Sequence, residues 1–164
     1  MSTNLFLLRH AETFATINSE PGKEKYHDKV LTADILKSTV TPIIEISKYL
    51  KKIDTEKNLT SPVKRCRQTV EIITKHSAKK FEIDEDLREY YMENFESLKN
   101  RVENLVKKTN KYKNVLICTH GAVIAGIKHL ILENDFKFED IHDYPKPGVL
   151  IIIKDKKIEE KDFN

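Results

Sequence analysis

Two apolar runs, each delivering the chain to a histidine, constrain this sequence more than any other feature. NLFLL (residues 4–8) runs straight into Arg9-His10, and NVLIC (residues 114–118) runs into Thr119-His120-Gly121. Neither run shows the in–out alternation of a half-exposed strand. Continuous apolar runs of this length mark strands buried on both faces, as in parallel sheets covered by helices. The rest of the chain supplies those helices. Thr32 is placed to cap one reaching about Leu50, with Leu36, Ile43, Ile46 and Leu50 apolar. Pro42 predicts a kink or restart there, with Thr41 as a second N-cap. A short strand over residues 58–60 leads through Ser61-Pro62 into a helix ending near His76, and residues 81–83 are another short strand. Residues 84–95 read as an acidic, aromatic loop. From Glu96, the apolar positions Leu98, Val102, Leu105 and Val106 mark an amphipathic helix. Gly121 opens a helix to about Leu132, and residues 148–154 and 157–163 are strands around an Asp155-Lys156 turn.

Strands alternating with helices predict an α/β fold. We expect a three-layer sandwich, with a mainly parallel central sheet, helices on both faces and an antiparallel C-terminal edge hairpin. Residues 1–164 carry no internal repeat or linker and read as a single domain. Ligands of such sheets bind beyond the C-terminal strand ends. Arg9-His10, Ser61 to Arg65, and Thr119-His120-Gly121 all fall on that predicted rim, and their convergence outweighs any one of them.

Composition removes several alternatives. No run approaches the ~18 apolar residues that span a bilayer, and the first ten residues lack the basic start of a secretory signal. A cytoplasmic protein without a membrane partner is therefore expected. Cys66 and Cys118 fit a reducing compartment and read as packing residues. The net charge of +3 makes no case for nucleic acid. Charge is uneven, however: residues 82–96 hold seven Asp/Glu against one Arg. Solvated surface is the ordinary reading of such a stretch.

The rim residues suit phosphate chemistry. Arg9 and Arg65 offer planar forks of donors that match phosphate oxygens, although Arg65 also reads as one more basic helix residue. The amides at the helix start near Gly121 favour an anion. A neutral imidazole is a competent nucleophile toward phosphorus, and a protonated one stabilises the equatorial oxygens. No metal or cofactor is needed for this. Other phosphate chemistries fail on spacing. A cysteine phosphatase needs Arg six residues after its Cys, where this chain has Ile72 and Ile124. Gly121 to Gly126 begins like a phosphate-binding loop, but Ile127-Lys128 spoils it. The PCxxC element of a zinc deaminase is missing. His120 and His129 lie nine apart, which is not a ligand spacing on one helix turn. His27, His76, His129 and His142 read as surface or core residues.

Four segments in order resemble one family. LLRHAET is similar to the strand-plus-RHG motif of the histidine phosphatase superfamily, the phosphoglycerate-mutase-like proteins. TSPVKRCRQTVEII resembles that family's S-x-x-x-R-x-x-Q-T-A element, LREYY its L-x-E element with ESLKNRV as the helix that follows, and ICTHGAVIAGI its second histidine motif. The resemblance spans roughly residues 5–127. It implies that His10 accepts the phosphoryl group and that Arg9, Arg65 and His120 form the phosphate pocket, with Gly121 and Thr16 beside them. It makes Glu89 the proton donor, with Asp86 and Glu93 as alternatives. Clustered carboxylates would then raise the pKa of Glu89.

The chain also departs from the family pattern. Ala11 replaces the Gly after the nucleophile, and a positive φ there would be costly. Thr16 stands where Asn is usual, LTADILKST lacks the usual Gly and Gln, and YYMENF replaces G-x-W-x-G. Little length is left for an enclosing lid, which favours hydrolysis over mutase chemistry. The expectation is a metal-independent phosphatase acting on phosphomonoesters through a phosphohistidine on His10. Its partner would be a small phosphorylated metabolite or a phosphoprotein. Alternatives are a protein phosphohistidine phosphatase, a phosphoglycerate mutase-type phosphotransferase, and a catalytically weak phospho-ligand binding protein. The acidic 82–96 stretch predicts discrimination against substrates with several charges. Oligomeric state is not legible.

Overall fold

A computed structural model describes residues 2–17 and 27–164. In chain order the elements are β1 (Asn4–Arg9), α1 (Phe14–Ile17), α2 (His27–Val30), α3 (Val40–Leu50), β2 (Lys57–Thr60) and α4 (Lys64–Ser77). Then follow β3 (Glu82–Ile83), α5 (Phe95–Thr109), β4 (Asn114–Thr119), α6 (Gly121–Glu133), β5 (Val149–Lys154) and β6 (Lys157–Asp162). They form one six-stranded sheet in the order β3-β2-β4-β1-β5-β6. The pairs β3–β2, β2–β4 and β4–β1 are parallel, while β1–β5 and β5–β6 are antiparallel. The two apolar runs are thus neighbouring central strands, each flanked on both sides.

Period-two alternation splits each central strand between two cores. Leu5 and Leu7 of β1, with Val115 and Ile117 of β4, pack against Leu98, Val102 and Leu105 of α5 and Ile124 and Ile127 of α6. Phe6 and Leu8, with Leu116 and Cys118, face Ile43, Ile46 and Leu50 of α3 and Val70 and Ile73 of α4. The architecture is therefore the expected three layers, closed by the C-terminal hairpin. That hairpin turns through Asp155 and Lys156, both at positive φ (51° and 58°), the twist a two-residue hairpin loop requires.

Two boundaries differ from the sequence reading. No helix starts at Thr32. Instead Leu36 N–H donates to the Glu12 carbonyl, Ile35 bridges to Thr13, and the Gln68 side chain accepts from Ile35 N–H. These contacts hold the segment extended, so a 3₁₀ turn over Lys37–Thr39 leads into α3 at Val40. Pro42 consequently sits in the first helical turn, where no backbone donor is missed, and causes no restart. In the second case, α4 starts at Lys64, not Pro62, because Val63 stays extended with its N–H bonded to Ser61 Oγ (3.2 Å).

Helix α6 carries His120 at its N-cap, and Gly126 sets how closely it approaches α5. A Cβ at that position would lie 2.8 Å from the Phe136 ring and 3.0 Å from Val102 Cγ1, both fully buried. Alanine would gain about 1 kcal/mol of helix propensity. Overpacking costs about 1–3 kcal/mol and outweighs it. Gly126→Ala should therefore lower the urea midpoint, and an unchanged or higher midpoint would contradict this packing.

Candidate active site

The site forms where β1, β2 and β4 end together. Arg9 is in parallel register with Thr119, and Thr60 with Cys118, so the residues that follow leave the sheet side by side. His10 and His120 come off adjacent strands with their ring centroids 5.3 Å apart. Both rings are buried.

The tautomer of His10 follows from its partners. Its Nδ1 lies 2.8 Å from the Ala11 carbonyl, which only accepts, so Nδ1 carries the proton. Nε2 is then a lone pair, and it accepts from Arg65 Nε (3.0 Å). Burial, together with the positive charges of Arg65, His120 and Arg9, holds the His10 pKa well below the ordinary imidazole value. The imidazole is neutral, and its one lone pair, on Nε2, is engaged by Arg65. Ala11 takes the place of glycine at no backbone cost, because its φ is not positive. Its N–H donates to Thr69 Oγ1 (2.9 Å), which itself donates to the Arg65 carbonyl (2.7 Å). Thr69 thereby ties the loop of His10 to α4.

Arg65, fully buried in the first turn of α4, is the hub. Besides His10 it donates through Nη1 to the Val30 carbonyl and through Nη2 to Glu89 Oε2. The same carboxylate oxygen lies 3.3 Å from His120 Nδ1. On its other side, His120 Nε2 lies 2.8 Å from Ser61 Oγ and 3.7 Å from Cys66 Sγ. Burial opposes charge on His120, but the Cys66 sulfur and the Glu89 carboxylate raise its pKa above the ordinary value. His120 Nδ1 also lies 3.0 Å from Arg65 Nη2, so Arg65, His120 and Glu89 meet at one point.

Glu89 departs from expectation in one respect. Burial raises its pKa, yet His120, Arg65 and His10 outweigh burial and hold it far below the carboxylate range. The neighbouring acids do not raise it, because they face basic partners elsewhere. Glu93 pairs with Arg101 and Arg88, Asp84 and Asp86 with Lys108, and Glu82 with Lys57. Asp86 and Glu93 are engaged away from the histidines, and Glu89 is the one of the three that lines the cleft. Its loop is held by Arg101, whose Nη1 donates to the Asp86 carbonyl (2.6 Å) and Nη2 to the Glu89 carbonyl (3.2 Å). Thr119 Oγ1 adds a bond to the Leu87 carbonyl (2.8 Å).

A cleft of about 160 Å³ opens above this network. Arg9, His10, Thr16, Glu89 and Gly121, all expected from the sequence, line it. Arg65 and His120 are buried beneath it, Arg65 under Val30 and Glu89 and His120 beside Glu89. Thr16 lies at the wall, with its hydroxyl donating to Glu12 Oε2 (2.8 Å) and accepting from Thr13 N–H (2.8 Å). His142 is exposed, as one of the two readings had it, and also lines the cleft; Tyr90 and Tyr144 join it there. The 142–144 segment has no apolar period that would have announced it, and its approach to β1 exists only in three dimensions. The side chain of His27 lies outside the described residues. His129 sits at the far end of α6 in an ion-pair cluster with Glu133, Asp140 and Asp143.

Residues 5–104 match the family model for the histidine phosphatase superfamily, branch 1. The chain belongs to the histidine phosphatase superfamily. Its sheet and helices resemble the α-ribazole phosphatase of Shigella flexneri (TM-score 0.74, 15% identity, covering 98% of this chain and 95% of that one). They also resemble the phosphoglycerate mutase of Bacillus anthracis (TM-score 0.67, 15% identity, 98% and 93% coverage). A third similar structure is the protein histidine phosphatase SixA complexed with tungstate (TM-score 0.64, 12% identity, 97% and 94% coverage). Comparison with curated proteins gives no match. Phosphatases and mutases thus share this superfamily fold. Among the described residues, no helix is long and apolar enough to cross a membrane.

The Glu89–His120 contact makes a titration prediction. A raised His120 pKa stabilises the folded state fully below the unfolded value of about 6.5. That stability is lost as pH rises through the folded value. In Glu89→Gln one cause of the raised pKa is gone, so His120 should titrate at lower pH by NMR. An unchanged midpoint would exclude the pair.

Proposed function

We propose that this superfamily member is a phosphatase that hydrolyses phosphomonoesters through a covalent phosphohistidine at His10. The observation that carries the reading is the state of His10: a buried neutral imidazole whose Nε2 lone pair faces the guanidinium of Arg65, beside His120 and Glu89. In the first step Nε2 attacks phosphorus and the bond to the leaving oxygen breaks. Arg65, Arg9 and His120 take the phosphoryl oxygens. Glu89, protonated once the substrate's charge has displaced its carboxylate from Arg65, gives its proton to the leaving oxygen. In the second step Glu89 accepts a proton from water, the hydroxide attacks phosphorus, and the N–P bond breaks to release phosphate and neutral His10. Catalysis is then positioning and charge stabilisation by side chains.

Hydrolysis is favoured over mutase transfer because only residues 90–94 separate Glu89 from α5. A short wall of this kind admits water to the phosphoenzyme. A phosphohistidine side chain on a protein is the second substrate class such a site could take. Assaying a phosphomonoester and a phosphohistidine protein side by side separates the two substrate classes.

The test of the mechanism is acid-labile, alkali-stable labelling by a radioactive phosphomonoester in a rapid quench, in the presence of chelator. The label should map to His10, and His10→Ala should lose both label and turnover. Turnover that survives His10→Ala, or that chelator abolishes, would overturn the reading. Replacing Glu89 by Gln should lower kcat and, by removing the carboxylate that competes for Arg65, tighten orthophosphate by about tenfold, or ~1.4 kcal/mol. Weaker orthophosphate binding in that variant would contradict the competition.

A further inference from the structure

We propose that Tyr144 is a positioning residue for Arg9, its ring holding the guanidinium at the phosphoryl pocket while leaving every N–H free for the anion. The proposal rests on the phosphatase reading above. The register of β1 fixes where the Arg9 backbone lies, but not its long side chain. Arg65 is immobilised by acceptors on all sides. Arg9 is not: its Nε is buried without a hydrogen-bond partner, and among the described residues no carboxylate pairs with it. What holds Arg9 is Tyr144, whose ring centroid lies 5.0 Å from the guanidinium carbon. That distance is within cation–π range. A carboxylate in the same place would neutralise the cation and occupy its donors. An aromatic face does neither, so the buried donor stays available for a phosphoryl oxygen.

Local structure places the ring. Pro145 restricts Tyr144 to extended backbone, and Tyr144 N–H donates to the His142 carbonyl (3.0 Å). Gly121, at the start of α6, makes the space. A Cβ there would lie 2.6 Å from Cδ2, Cε2 and Cζ of Tyr144, so any side chain would push the ring off. Gly121 therefore does more than expose amides next to His120. It lets the tyrosine close over the helix start and meet Arg9, and all three residues line the cleft with His10.

The test measures tungstate affinity by calorimetry, kcat and KM for p-nitrophenyl phosphate, and the thermal midpoint, in Tyr144→Phe and Tyr144→Leu. Phenylalanine keeps the ring face and should stay within about twofold of the parent. Leucine should weaken tungstate and raise KM by roughly five- to twentyfold. In an Arg9→Met background the leucine substitution should have no further effect, because the cation it positions is gone. If Tyr144→Leu does not fold, Gly121→Ala displaces the same ring and should show the same dependence on Arg9. Parental tungstate affinity in the leucine variant, or an equal loss with and without Arg9, would overturn the proposal. A parent protein that neither binds tungstate nor hydrolyses the ester would overturn the phosphatase reading beneath it.

Discussion

A single buried guanidinium organises this molecule's functional end. Arg65 is fully enclosed, and an arginine in that position must have acceptors for its donors, since leaving a buried charge unpaired costs about 3–5 kcal/mol. It finds them in His10 Nε2, the Val30 carbonyl and the Glu89 carboxylate. Those acceptors come from the end of β1, from α2 and from the loop after β3. One side chain thus draws three distant segments together, and the sheet supplies the rigidity that keeps them in place.

The same network explains why the site is poised for an anion. In the protein alone, Glu89 stands between Arg65 and His120 and is held ionised by them, while burial works in the opposite direction. An entering phosphoryl dianion presents oxygens to those same donors. On the proposed mechanism it would replace the attraction that keeps Glu89 deprotonated with repulsion between like charges, and the carboxyl would become a proton donor for the leaving group. Substrate binding and acid activation would then be one event. The neutral state of His10 is likewise set by its surroundings, because Arg9, Arg65 and His120 all disfavour a further positive charge beside them.

Much of this was legible in the sequence, for physical reasons. Unbroken apolar runs identify the buried strands because both faces of a central strand need covering, and Leu5 to Leu8 divide between the two cores as that requires. Strand ends then fixed where Arg9, His10 and His120 emerge. The protonation state of Glu89 was not legible, since it depends on which charges reach it. Seven acids in one stretch look like mutual repulsion, whereas Lys57, Arg101 and Lys108 bind most of them elsewhere. The start of α3 was also hidden, because a helical pattern from Thr32 lost to pairing of Ile35 and Leu36 with residues 12–13 and Gln68. Tyr144 and His142 lie in an irregular segment with no period to read.

On the proposed mechanism, an anion exchanges places with the Glu89 carboxylate and leaves it protonated. Calorimetry of tungstate binding at pH 7.5, repeated in buffers of different ionisation enthalpy, measures this directly, because tungstate is itself fully dianionic there. The protein should take up a proton on binding, and Glu89→Gln should bind the anion with no such uptake. Binding with no proton uptake in the parent, or uptake that persists unchanged in Glu89→Gln, would contradict it.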